Sequence, residues 1–352
     1  MSGVNKTLVR AGLETLFFSG AHLMMQPFVG GVGVILTLHH VRPRRMDGFQ
    51  PNRLLEVSPV FFAEVVLKLR HSRVDLVSLD EMHRRLTEGD FRRRFVCLTF
   101  DDGYRDVLQW AYPVLRKHEV PFALYIATSF PDRIGELWWL GLEAVIARNE
   151  RIGLLMEGRE RRFECGTIAE KREAFEQLYW WLRNLETEDE LRVVVRELCA
   201  RYGVDLSALC GELCMGWDEI TELARDPLVT IGAHTVNHFM LKKTPERVVR
   251  EEMEMGRAVL EAAIGSKPQH LSYPIGDETS AGPREFALAA ELGFKTAVTT
   301  RPGMIFPDHR DHLTALPRIS LNGEFQQRRY VNVLISGAAT AIWNGFRRVE
   351  AA

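Results

Sequence analysis

The sequence predicts an α/β fold that carries a helical insertion. Three observations lead there. Short apolar runs alternate with amphipathic stretches between residues 34 and 127, at the spacing of strand–helix units. The same rhythm returns between residues 228 and 321. Between residues 135 and 225 it stops, and apolar positions recur three and four apart instead.

Residues 34–38 read as a first buried strand that ends at His39-His40. Ser58-Pro59 supplies an N-cap and a proline at the first helical position, and the helix behind it carries Phe61, Phe62, Val65, Val66 and Leu69 toward a core. A second strand is expected over 74–78, then a helix through Leu86 opened by Ser78 and Glu81 at capping-box spacing. The apolar run from Phe95 makes a strand ending at Asp101, followed by a helix over 107–118 and a strand over 122–127.

Inside the insertion, Phe175, Leu178, Leu182 and Leu185 mark one helix. Thr187 and Glu190 have capping-box spacing ahead of another, with Leu191, Val194 and Leu198 on its apolar face and Gly203 as its stop. Beyond it come a strand over 228–231, a helix from Thr244-Pro245-Glu246 to Gly265, and strands over 270–273, 295–299 and 315–321.

The 352 residues are 46% apolar and 26% charged, which excludes a disordered chain. A net charge of -2 lacks the basic excess of a phosphate-binding surface, so no nucleic acid is expected as a partner. Five cysteines without a CxxC pair do not make a disulfide framework and fit a reducing compartment. The apolar stretch at residues 16–25 has no small-residue cleavage site, so no signal peptide is expected and a cytoplasmic location is the reading. It and the stretch 330–346 read as helices packed on the domain, ends that also admit peripheral contact with a membrane.

The chemistry concentrates in two places. Asp101-Asp102 follows a buried strand, where paired carboxylates are expensive to desolvate unless a cation meets them. His234 and His238 also follow a strand, and their spacing puts two imidazoles on one side of a helical turn. One carboxylate plus two imidazoles is a three-ligand set that leaves a coordination position open, and the second carboxylate is then a spare base. The zincin protease motif shares the spacing but needs a glutamate where this chain has Thr235. Read alone, each histidine is equally a surface or core residue.

Thr99-Phe100-Asp101-Asp102-Gly103 and His234-Thr235-Val236-Asn237-His238 resemble the first two signature motifs of the polysaccharide deacetylases, carbohydrate esterase family 4, which includes the nodulation-type chitooligosaccharide deacetylases (the NodB homology domain). The resemblance implies a distorted (β/α) barrel with a metal at its strand ends. It makes Asp102, His234 and His238 the metal ligands and Asp101 the general base. The divalent ion it implies is zinc first, with cobalt or nickel as alternatives. His270 to Gly276 stands at the family's third motif without its arginine, so Arg318 is the candidate contact for Asp101, and the Ile275 N–H the candidate oxyanion donor. A permuted branch of the family carries its histidine acid on the first strand, which points to His39, with a strand-closing structural histidine as the alternative and His40 as competitor. Tyr104 is placed to line a sugar cleft, whereas Trp138, Trp139, Trp180 and Trp181 read as core.

The organisation that follows is an N-terminal helical segment (1–33), a deacetylase domain in two parts (34–134 and 226–325), a helical insertion (135–225) and a C-terminal helical tail (326–352). The implied reaction is metal-dependent hydrolysis of the N-acetyl group of an amino sugar in an oligosaccharide or polysaccharide. Two rivals stand beside it: a deacylase or deformylase of a lipid- or nucleotide-linked sugar, and a glycan-binding protein without turnover.

Overall fold

The computed structural model describes residues 3–156 and 158–349. Seven parallel strands form its centre: β1 (Gly33–Leu38), β2 (Phe95–Phe100), β3 (Phe122–Ile126), β4 (Val229–Ala233), β5 (His270–Ser272), β6 (Thr296–Pro302) and β7 (Leu316–Ser320). Each pairs with its successor in the chain, and β7 pairs back onto β1 through Leu36 and Ile319, so the sheet closes into a barrel. Closure removes every free strand edge from the ring.

Alternate residues of the strands fill the interior. Ile35, Cys97, Tyr125, Val298 and Leu316 form one buried cluster with Leu79, Met82 and Leu86 of the helix Leu79–Glu88. That helix plugs the N-terminal end of the barrel, so the interior is packed there and free to hold polar groups only at the other end. Outside, the helix Pro59–Arg70 is capped by Ser58 Oγ, which accepts from the Phe61 N–H, and buries the five apolar residues expected of it. Each such side chain contributes about 1.5–3 kcal/mol, so a charge at Val65 would break this contact.

Two expectations need correction. The strand over 74–78 shrinks to Asp75–Leu76, which pairs with the start of β2 outside the barrel. The insertion is not wholly helical: Arg151–Met156 and Arg159–Glu164 form an antiparallel hairpin among its helices. The second of these strands, Arg-Glu-Arg-Arg-Phe-Glu, is almost entirely exposed and held by backbone pairing and ion pairs such as Arg151–Glu164, so it shows no apolar alternation to read.

The two chain ends pack on each other. Glu14 of the helix Gly3–Phe18 accepts from Arg329 and from the Tyr330 hydroxyl of the helix Arg328–Ser336. Arg94, just before β2, donates to the carbonyls of Gly30 and Ile335, which fixes both ends beside the N-terminal rim of the barrel. Among the described residues no helix is long and apolar enough to cross a membrane.

Candidate metal centre and its surroundings

The polar residues collect where the strands end. Asp101 and Asp102 continue β2, His234 continues β4, and Arg318 lies within β7. The register Leu38↔Phe100 sets His39, the residue after β1, beside Asp101, and the Asp101 N–H donates to the Leu38 carbonyl at 3.0 Å. All of these are on the C-terminal face, where barrel loops converge.

Asp102, His234 and His238 are buried and offer ligand atoms within 4.8 Å of one another, the only such group of three among the described residues. Nε2 of His234 and of His238 stand 3.4 and 3.3 Å from Asp102 Oδ1, yet that oxygen makes no hydrogen bond. Such separations match the edge of a tetrahedron whose arms are about 2.0–2.1 Å, the lengths of zinc–nitrogen and zinc–oxygen bonds. Three convergent donors around an orphaned buried oxygen therefore fit a small divalent cation. His234 Nδ1 lies 2.6 Å from the Ser272 carbonyl, which can only accept, so Nδ1 carries the proton and Nε2 is left to the cation.

The electrostatics agree with that fit. Burial raises the Asp102 pKa, but the two imidazoles outweigh it and hold the carboxyl well below the usual range. Burial pushes the His238 imidazole down, toward the neutral form that a ligand needs.

Asp101 is held apart from this group. Its two oxygens accept from Arg318 Nη1 at 2.8 Å and Nη2 at 2.6 Å. Arg318 spends its remaining donors on the Thr99 hydroxyl, the Ser272 hydroxyl and the Thr299 carbonyl, so all five N–H groups of the guanidinium are used. Burial raises the Asp101 pKa, but Arg318, and then His234 and His39, lower it by more, and the net direction is down. The Arg318–Asp101 contact expected from sequence is thus formed, by an arginine from β7.

The remaining residues fall out differently. His39 is half-buried, makes no hydrogen bond and lies within electrostatic range of both aspartates. His40 is turned away, with Nδ1 2.6 Å from Asp106 Oδ2 and its ring stacked on Tyr104. Ile275 has φ +62°, unusual for a β-branched residue, and its N–H has no hydrogen-bond partner among the described residues. Of the seven non-glycine residues with left-handed φ among those described, Asp102, Thr235, His238 and Ile275 all stand here, the clustering of backbone strain found at functional sites.

Tyr104 does not line an open cleft, as its place after the Asp-Asp-Gly turn suggested. Backbone pairing of Tyr104 with Cys214, and a hydrogen bond from the Met215 N–H to the Gly103 carbonyl, draw this segment under the insertion. The side chain is fully buried, with its hydroxyl beside Trp139 and Asp102. The histidine pair also differs from expectation, for it sits on an irregular loop and not on a helical turn. Left-handed residues at Thr235 and His238 fold the loop back so that both imidazoles reach Asp102.

That loop is clamped from two sides by residues the sequence did not reveal. Glu252 accepts from the N–H groups of Val236 and Asn237 and from the Asn237 amide. Arg192, from the insertion helix Glu188–Arg201, donates to the carbonyls of Asn237 and His238 at 3.3 and 3.1 Å while paired with buried Glu188. Trp139, also from the insertion, packs its ring 5.0 Å from that of His238, and Phe130 packs at 5.9 Å. Capping-box spacing at Thr187 located the helix, but no local signal says that its Arg192 reaches a loop 45 residues away.

Comparison with known proteins gives a consistent result. The model of the polysaccharide deacetylase family matches residues 88–155 and 168–297. No curated protein sequence matches. Among solved structures, the deacetylase PplD of Streptococcus pyogenes is similar at 17% identity and a TM-score of 0.57, over 86% of this chain and 96% of that one. IcaB from Ammonifex degensii is similar at 19% identity and 0.52, over 87% and 96%. A de-N-acetylase from Aggregatibacter actinomycetemcomitans is similar at 13% identity and 0.53, over 86% and 99%. At these identities the structures share a fold with this chain.

Proposed function

Because the chain belongs to the polysaccharide deacetylase family, hydrolases of carbon–nitrogen bonds other than peptide bonds, we propose that it removes the N-acetyl group from amino sugars of an oligosaccharide or polysaccharide with the help of a divalent metal. The observation that carries this reading is the division of the two adjacent carboxylates. Asp102 Oδ1 faces two imidazoles and accepts no hydrogen bond from the described residues, whereas both oxygens of Asp101 are bound by a guanidinium two strands away.

In this account Asp102, His234 and His238 hold the metal, which supplies polarisation of the amide carbonyl and a more acidic water. Asp101 receives the proton of the attacking water at a carboxylate oxygen. Arg318 keeps Asp101 ionised and aimed, since each oxygen already accepts one N–H and retains a lone pair for the water. The unpaired Ile275 N–H is offered to the oxyanion that forms on the carbonyl. His39, free of any fixed partner, gives its proton to the departing amine.

A complete set of cation donors and an ionised base argue against a domain that binds glycan without turnover. The reaction is tested by purifying the protein with metal and measuring amine release from N-acetylglucosamine oligomers. Release by the wild-type protein and its loss in Asp101→Asn, with metal retained, are the expected results. Undiminished release by Asp101→Asn would remove Asp101 from the base role.

A further inference from the structure

We propose that the helices at the two chain ends form a docking face for an anionic lipid bilayer, at the end of the barrel opposite the candidate site. The helix Ala21–Val29 exposes Leu23, Met24, Pro27 and Phe28, a spacing that lies along one side, and no polar residue interrupts them. Next to it, Ile342, Trp343 and Phe346 at the end of the chain are exposed as well. A groove lined by Met25, Phe28, Phe346, Arg347 and Arg348 joins the two helices into one surface. Met24 is 76% exposed, Phe28 73% and Trp343 67%, so most of each of these large side chains is left in water.

Charge selects the occupant. Residues 1–33 and 326–352 hold Lys6, Arg10, Arg328, Arg329, Arg347 and Arg348 against Glu14 and Glu350, although the whole chain is net -2. The rest of the protein is therefore acidic and the chain ends are basic. Arg348 sits at the edge of the apolar surface, stacked over Phe306 at 5.3 Å. Aromatic and aliphatic residues in the middle with arginine around them suit the acyl boundary and headgroups of an anionic bilayer. A second copy of the chain fits worse, because an isologous contact would set one basic rim against the other.

Position gives the face a consequence. The helix Ala21–Val29 runs into β1 at its first residues, and Gly337, before the last helix, packs on Val29 and Met304. Ile305 pairs with Gly33, the first residue of β1. The surface is thus at the N-terminal rim, and Asp102 and the two histidines are at the C-terminal ends, about 20 Å away along six-residue strands. A docked molecule turns its site away from the bilayer, toward glycan standing off the surface.

The test is flotation of the full chain with vesicles of phosphatidylcholine containing phosphatidylglycerol, against vesicles of phosphatidylcholine alone. Binding to the anionic vesicles is expected, weaker at high salt, and about tenfold weaker in Phe28→Ser/Trp343→Ser and in Arg347→Glu/Arg348→Glu. Release of amine from soluble oligosaccharide is expected to be unchanged in both variants, which separates this inference from the proposed reaction. Binding that is absent, or equally strong in both variants, would overturn the proposal. So would a concentration-dependent dimer that Phe28→Ser/Trp343→Ser dissolves, since the face would then belong to a second copy.

Discussion

Arg318 reaches past β1 from β7 to hold Asp101 at the end of β2 with two parallel hydrogen bonds of 2.8 and 2.6 Å. Neither partner is exposed by more than a few per cent, and Arg318 is the only group that hydrogen-bonds the Asp101 carboxylate among the described residues. Removing the cation leaves a buried, unpaired carboxylate. Arg318→Met is expected to destabilise the protein by about 3–5 kcal/mol. It should also raise the pKa of Asp101, because burial then acts without its main opponent. Denaturant unfolding reads the first effect, and a rightward move of the acid limb of the kcat/KM profile reads the second. Arg318→Lys should recover only part of either, since one ammonium cannot supply a fork.

Arg192 makes a different kind of prediction. It donates to the backbone on which His238 is carried, and Trp139 packs against the same imidazole. The insertion therefore positions a candidate ligand, His238, through its backbone and ring. Arg192→Met is expected to weaken metal affinity about 10- to 100-fold, as measured by competition with a chelator. Unchanged affinity would mean that Glu252 alone holds the loop.

Among the described residues His39 is the only imidazole beside the aspartates whose ring makes no hydrogen bond or ion pair. Burial lowers its pKa, and the attraction of Asp102 and Asp101 offsets that only in part. The protonated form is then lost as pH rises through a value below the ordinary one of about 6.5. An alkaline limb of kcat/KM in that region is expected, and His39→Gln should abolish the limb and slow amine release about 10²- to 10⁴-fold with metal content intact. His40→Gln should leave the limb in place, because its Nδ1 is engaged by Asp106.

A pH effect on stability is expected far from the site. His309 is buried, its Nδ1 meets the Phe306 N–H at 3.0 Å and so must be unprotonated, and burial pushes its pKa down to about 4. The unfolded chain takes up this proton near 6.5 and the folded chain does not until about 4. The contribution is therefore complete above pH 6.5 and is lost as pH falls toward 4, at most about 3 kcal/mol. The Tm of His309→Asn should vary less than that of the wild type between pH 7 and 5.

The parts of the molecule that obey local rules were legible in the sequence. Ser58, Ser78, Thr187 and Gly265 mark helix ends because capping is decided within a few residues, and each stands at the end of a helix in the structure. The strand before Asp101 is buried on both faces and reads as an almost unbroken apolar run, and the strand before His234 is buried in its last three residues. What stayed hidden depends on distant contacts. The strand Arg159–Glu164 carries no apolar pattern, and the burial of Tyr104 follows from pairing with Cys214, 110 residues further on. The histidine loop looks helical by spacing, yet Glu252 and Arg192 fold it otherwise.

Asp102, His234 and His238 are proposed to bind one divalent metal on which amine release depends. The most direct measurement of this is a zinc titration of chelator-stripped protein, following bound metal and amine release from N-acetylglucosamine oligomers together. Stripped protein is expected to be inactive, both signals to rise to a plateau at one equivalent, and His234→Ala to show neither. Full release by the stripped protein, or one tightly bound equivalent in His234→Ala, would contradict the proposal.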